Sequence, residues 1–249
     1  MDNSLNTTSS ADSKDSVRIN KYISASGFCS RRKADEYVEA GCVTIDGETA
    51  VSGSQVFPGQ VVLVNGKPVI PTDDHVYIAF HKPLGITCTT DKRDKDNIID
   101  YIHYPQRIFP IGRLDKNSTG LILLTNDGDI VNRLLRAEGR HDKEYVVTVD
   151  KPVDEDFKRK MEGGLPILNT VTLPCKVKLS GKSSFHIILN QGLNRQIRRM
   201  CEYLGYKVVR LKRIRILNIS LGTLPVGQYR DLTAKERKDL FSILDKHRK

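Results

Sequence analysis

No run of apolar residues in this chain approaches the roughly 20 needed to span a bilayer. The first residues also lack the basic and apolar stretches of a secretory signal, so a cytoplasmic protein is expected. Cysteine is sparse and unpaired in spacing. Cys29, Cys42, Cys88, Cys175 and Cys201 are odd in number and contain no CxxC, which argues against a disulfide framework or a zinc site and for reduced, mostly buried thiols. The histidines, His75, His81, His103, His141, His186 and His247, show no HExxH or other ligand spacing, so no metal is expected. Tandem repeats are absent too.

What the chain has in quantity is positive charge: 40 Lys and Arg against 30 Asp and Glu over 249 residues, a net of +10. That balance favours a polyanionic partner, nucleic acid first and an anionic membrane second. The charge is unevenly spread: −2 over residues 1–16, +1 over 17–70 and +11 over 71–249. With 39% hydrophobic residues there is enough apolar material for globular cores.

Residues 1–16 are almost all small and polar, with too little apolar surface to offset the entropy of ordering, and read as a disordered tail. From Val17, apolar residues recur at helical spacing until Gly27; Ser30 then caps a second helix to about Ala40, stopped by Gly41. Strand-like runs follow at 42–45, around Val51 and at 60–64, which makes residues 17–66 a compact αα-β unit. A linker is read over 67–74, which holds Pro68, Pro71, Asp73 and Asp74. In residues 75–247, strand-like runs at 76–80, 121–125, 145–149, 185–189 and 207–211 alternate irregularly with helices at 129–136, 154–162, 194–204 and 234–244. Without regular βαβ alternation, the fold class is α+β with a mixed or mostly antiparallel sheet.

Two basic regions are candidates for phosphate contact. In the small unit, Arg18, Lys21, Arg31, Arg32 and Lys33 fall on consecutive helices with no acid through position 34; a phosphate-binding face and a plain solvated surface are equally compatible with charge alone. Residues 195–215 hold Arg195, Arg198, Arg199, Lys207, Arg210, Lys212, Arg213 and Arg215 against one acid, Glu202, a density that points to polyanion contact. Here Asn194 is read as the cap of a helix that buries Ile197, Cys201 and Leu204 and leaves Arg195, Arg198 and Arg199 on the open side, with Gly205 ending it. Asp115 lies between Arg113 and Lys116 in a turn-rich segment ahead of the apolar run Leu121–Thr125; spacing alone reads it as an Asx turn or a cap.

Several segments together carry a resemblance. Gly112-Arg113-Leu114-Asp115, Thr119-Gly120-Leu121 and Leu124-Thr125-Asn126-Asp127-Gly128 resemble the catalytic motif of the RsuA-type pseudouridine synthases. His81-Lys82-Pro83-Leu84-Gly85-Ile86, Lys143-Glu144-Tyr145 and Gln191-Gly192-Leu193-Asn194-Arg195-Gln196-Ile197-Arg198-Arg199-Met200 follow in the family's order, and the αα-β unit resembles the S4 RNA-binding domain. Within the family, the sequence most resembles the RluF branch, which modifies large-subunit ribosomal RNA. The resemblance implies that Asp115 is the nucleophile, that Tyr145 stacks on the uracil, and that Arg198 pairs with Asp115. It further implies that Arg113, Arg195, Arg199, Lys21, Arg31, Arg32 and Lys33 hold RNA, and that Leu114 and Ile197 support or line the uracil pocket. Neither cofactor nor metal is implied, the partner is structured RNA, ribosomal first and transfer RNA as the alternative, and a monomer is the default expectation. A non-catalytic RNA-binding or ribosome-assembly factor is the rival on the same scaffold. A metal-dependent nuclease is the second rival, but the Asp127-Gly128-Asp129 pair reads better as a turn and helix cap than as a metal site.

Overall fold

The computed structural model describes residues 15–135 and 141–246; most of the expected tail, and the expected helix end Arg136 and domain end His247, lie outside the described residues. Contacts divide the chain into two units, residues 1–75 and 76–249.

The first unit runs β1 (Val17–Arg18), α1 (Ile19–Ala25), α2 (Arg31–Glu39), β2 (Val43–Ile45), β3 (Glu48–Thr49), β4 (Gln55–Val56), β5 (Val62–Val64) and β6 (Lys67–Pro68). Ser30 starts α2 as its sequence suggests, its hydroxyl accepting from the Lys33 N–H at 3.2 Å. Ile19, Ile23, Ala34 and Val38 from the helices pack on Val43, Val62 and Val64 of a sheet ordered β3-β2-β5-β6. Two expectations are corrected. Val51 is exposed outside any strand, because it falls in the turn between β3 and β4. Lys67 and Pro68, read as linker, instead pair with β5, since the apolar Val69 beside them buries to 5% exposure and donates its N–H to Val62.

The second unit runs β7 (Tyr77–Lys82), α3 (Ile98–Ile102), β8 (Phe109–Ile111), β9 (Thr119–Thr125), α4 (Gly128–Leu135), β10 (Lys143–Val149), α5 (Glu155–Gly163), β11 (Pro166–Ile167), β12 (Thr170–Val171), β13 (Lys176–Gly181), β14 (Ser184–Leu189), α6 (Gln196–Tyr203), β15 (Val208–Ile216), β16 (Ile219–Ser220), β17 (Tyr229–Asp231) and α7 (Ala234–Lys246). Its sheet is ordered β13-β14-β10-β15-β9-β7-β17, with β8 on β9 and β16 on β15. Every pairing is antiparallel except β15 with β9, so the expected mixed α+β sheet is what forms. β7 is buried along its whole length because both of its faces are covered, one through Tyr77 and Ala79 in a cluster with α4 and α7, the other through Ile78 and Phe80 in a cluster with α3. At the other end, Val147, Phe185 and Ile187 pack under α5 and α6.

The strand register places one row of residues across the sheet: Ile187 opposite Tyr145, Tyr145 opposite Arg213, Arg213 opposite Gly120, and Gly120 opposite Lys82. Directly opposed residues share a face, so Tyr145, Arg213 and Lys82 project to the side that α3 and α6 cover. β15 is far longer than the run at 207–211, because arginines and lysines at 210, 212, 213 and 215 interrupt its apolar alternation without interrupting its pairing. α6 starts two residues later than its expected cap. Arg195, not Asn194, precedes it, in a left-handed conformation with φ 50°.

Gly120 is where two strand backbones come closest. A Cβ there would stand 2.2 Å from the Arg213 carbonyl oxygen, and φ is 111°. Gly120→Ala is expected to destabilise the protein by roughly 3 kcal/mol or more, read as a lowered urea midpoint; an unchanged midpoint would show that β9 and β15 are not packed this closely.

Candidate active site

Asp115 stands in the loop between β8 and β9, and its sequence neighbours do not supply its electrostatic environment. Lys116 reaches away to Asp96 at 2.9 Å, and Arg113 is exposed. The cations near Asp115 come instead from the start of α6. Arg195 Nη1 is 3.7 Å and Arg198 Nε 3.8 Å from Asp115 Oδ2, with side chains 46% and 14% exposed. Solvent screens the first pair much more than the second, so Arg198 dominates the field at the carboxylate. Burial and the neighbouring Arg195 pull the Arg198 guanidinium down from its usual range while Asp115 pulls it up; a guanidinium stays cationic through such shifts.

Arg198 also holds the loop mechanically. Its Nη2 donates to the Asn117 carbonyl at 2.6 Å and to Ser118 Oγ at 3.2 Å, and Nη1 reaches the Val208 carbonyl at 3.4 Å. The buried Nε has no hydrogen-bond partner among the described residues. A buried unsatisfied donor costs about 1–3 kcal/mol, which a short approach of the Asp115 carboxylate would recover. The geometry therefore favours tightening of the pair when the site fills.

The rest of the loop is pinned by buried groups. Cys88 Sγ donates to the Leu114 carbonyl at 3.3 Å and accepts from the Leu114 N–H at 3.4 Å. Lys82, fully buried, donates to the carbonyls of Pro83 and Ile86 at 2.8 Å each and of Lys116 at 3.4 Å. Arg213, 3% exposed, donates to the Leu121 carbonyl at 2.7 Å and the Arg113 carbonyl at 3.4 Å. Tyr145 is half-buried against both the α3 cluster, which includes Leu114, and the α6 cluster, which includes Ile197. The structure thus brings together Asp115, Arg195 and Arg198, and the register puts Tyr145 on the same face.

The other expected residues divide. Leu114 and Ile197 are buried in the two clusters. Arg199 folds back onto Asn194, its Nε on the carbonyl at 3.1 Å and its Nη2 on Oδ1 at 3.3 Å, so Asn194 anchors an arginine instead of capping the helix. Arg213 and Arg215, expected among the polyanion contacts, are taken up internally, Arg213 by carbonyls and Arg215 by Glu144 at 2.9 Å. In the first unit, Lys21 and Arg31 line a shallow depression with Arg18, Asn20 and Gln55; Lys33 is paired with Glu36 at 2.6 Å, and Arg32 is exposed. The Asp127 carboxylate accepts from the Asp129 N–H at 2.8 Å at the start of α4, the cap expected of it.

Sequence reading missed Lys82, Cys88 and Arg213 as parts of the site. A signal existed for Arg213: it shares the strand alternation of the buried Leu211, which marks an inward-pointing cation.

Residues 76–203 match the family model described as RNA pseudouridylate synthase, and residues 17–62 match the S4 domain. The chain belongs to the RNA pseudouridylate synthase family. It is 56% identical over 232 residues to the dual-specificity RNA pseudouridine synthase RluF of Escherichia coli K12, covering 92% of this chain and 80% of that one. It is 36% identical to the ribosomal large subunit pseudouridine synthase B of Bacillus subtilis, covering 92% and 97%. A crystal structure of a pseudouridylate synthase superposes with a TM-score of 0.67 at 28% identity, covering 90% of this chain and 99% of that one.

Burial brings the Lys82 ammonium down to about 8, against the pull of Cys88 and Asp115. An unfolded lysine keeps its proton to about 10.4, so between these values the unfolded chain binds more protons and stability rises with pH. The unfolding free energy of the wild type, relative to Lys82→Met, is expected to improve from pH about 8 to about 10. Urea titrations at both ends of that window that give the same difference would refute the shift.

Proposed function

We propose that this chain isomerises uridine to pseudouridine at defined sites in structured RNA, with Asp115 as the reacting carboxylate. The supporting observation is the approach of Arg198 to Asp115 at 3.8 Å across eighty-three positions of sequence, beside a loop that Arg198 itself braces. The reaction breaks the N1–C1′ bond, turns the uracil, and bonds C5 to C1′; N1 gains a proton and C5 loses one. No electrons are exchanged and no outside group is consumed, so neither a cofactor nor a metal is required. Asp115 serves as the covalent partner at the sugar or as the base that removes a sugar proton. Arg198 keeps it aimed. Tyr145 offers a ring for stacking on the uracil and a phenol near the departing C5 proton. The target uridine leaves its stack at a cost of a few kcal/mol, and Arg113, which is exposed, is our candidate for the side chain that fills the space it vacates.

Large-subunit ribosomal RNA is the proposed substrate, as the name of the Bacillus relative suggests, and the dual specificity named for RluF fits a second substrate, for which transfer RNA is the candidate. One chain supplies Asp115, Arg195, Arg198 and Tyr145, which fits action as a monomer. A cytoplasmic location follows from that substrate, and among the described residues no helix is long and apolar enough to cross a membrane.

Pseudouridine mapped across all RNA of cells lacking the gene is expected to show at least one site missing. Wild-type protein should restore it, while Asp115→Asn should leave it below about a thousandth of the wild-type rate. If Asp115→Asn restores the site, the carboxylate is not the reacting group; if no site disappears, the protein acts by binding alone.

A further inference from the structure

The second unit's sheet has a half that no helix covers among the described residues. α5 and α6 pack on one face of β13, β14, β10 and β15, through Val147, Phe185, Ile187 and Leu211. α4 and α7 cover the opposite face at β7 and β9, through Tyr77, Ala79, Leu121 and Leu123, and reach β15 at its last residue, Ile216. Short of Ile216, no helix packs on the opposite face of the first four strands among the described residues, and the register specifies what it presents. Lys178 lies opposite His186, His186 opposite Val146, and Val146 opposite Lys212; one step along, Thr148 lies opposite Arg210. Lys176 stands two residues before Lys178 on the same face.

Lys176, Lys178 and Arg210 are exposed, Lys212 is half-buried, and none of the four has an acidic partner within 4.0 Å among the described residues. The single carboxylate on the face, Glu144, is already held by Arg215 at 2.9 Å and His186 at 3.3 Å. Strands lie about 4.8 Å apart, so Lys178 and Lys212 are separated by about 14 Å across three strand gaps. Unpaired like charges in a fixed array repel one another, and this repulsion is relieved by a polyanion of matching extent.

We infer that this face, on the opposite side of the sheet from Asp115, Tyr145 and Arg198, is a second RNA surface that takes the phosphate backbone of a duplex. A duplex fits better than a single strand. Single-strand sites need exposed aromatic rings for stacking, and the aromatic side chains of these strands, Tyr145 and Phe185, belong to the other face. A sheet face with cations and hydroxyls, Thr148 and Ser184 among them, suits shape-based contact with A-form backbone. The inference rests on RNA as the partner but not on the chemistry at Asp115.

The test is titration of an RNA duplex of about 20 base pairs against the full chain at several salt concentrations. The triple variant Lys178→Gln, Arg210→Gln, Lys212→Gln is expected to bind at least ten-fold more weakly. Its log affinity against log salt should flatten by about 2 to 3, at about 0.9 for each phosphate no longer neutralised. Pseudouridine formation on a short hairpin confined to the reacting face should not change. Unaltered duplex affinity in a triple variant of native melting temperature would overturn the inference, as would a parallel fall in hairpin turnover. If the triple variant loses its cooperative melt, exposed Lys178→Gln alone must still lower the slope by about 1. Failure of the wild type to form pseudouridine on any RNA would remove the proposed chemistry and leave the duplex titration intact.

Discussion

The structure depends on what Arg198 does to the 115–118 turn. A carboxylate displayed on a loop has no fixed direction, and its neighbours Arg113 and Lys116 do not fix it: one is exposed and the other is engaged with Asp96. Arg198 supplies the missing constraint through the Asn117 carbonyl and Ser118 hydroxyl, while its Nε faces the Asp115 carboxylate. The position of that guanidinium is set in turn by the burial of Ile197, Met200 and Cys201, which lock α6 onto the sheet. Packing at one end of the sheet thereby determines electrostatics at its middle.

Two further cations, Lys82 and Arg213, lie buried in the same row, and both donate to carbonyl oxygens without a carboxylate partner, although Arg213 Nη2 has no hydrogen-bond partner among the described residues. A buried cation paired to an acid would leave a neutral site; one held by carbonyl dipoles leaves its charge in the local field. Asp115 is thus a negative group in a region of excess positive charge, a region that attracts phosphates. Gly120 lets the two strands that carry this row approach, since any side chain there would meet the Arg213 backbone.

Much of this was legible in the sequence, for identifiable reasons. The helices at 154–162 and 234–244 are recovered within one or two residues, and that at 129–136 as far as Leu135, because their apolar spacing agrees. The S4-like unit was legible for the same reason, apart from Val51, which falls in a turn, and β6, where Pro68 suggested a linker although an edge strand tolerates proline. β15 was half-read, because cations replace apolar residues along it and conceal a period of two. Asp115 and Arg198 were visible only through motif likeness: nothing in local spacing announces a contact between residues so far apart. The left-handed Arg195 was not legible either, since a non-glycine residue with positive φ is imposed by tertiary contacts.

The basic stretch at 195–215 shows how secondary structure turns composition into function. Counted along the chain it is a single block of charge. Folded, its helical part spends Arg198 on the 115–118 turn and Arg199 on the turn before α6, while its strand part alternates, sending Arg213 inward and Arg210 and Lys212 to the opposite face. Equal charges therefore acquire different energetics: buried ones are held by fixed carbonyls and are insensitive to salt, while exposed unpaired ones exchange counterions with solvent. The salt dependence of RNA binding should accordingly be carried by far fewer cations than the sequence contains, and a net charge of +10 overstates the number of phosphates the protein can engage.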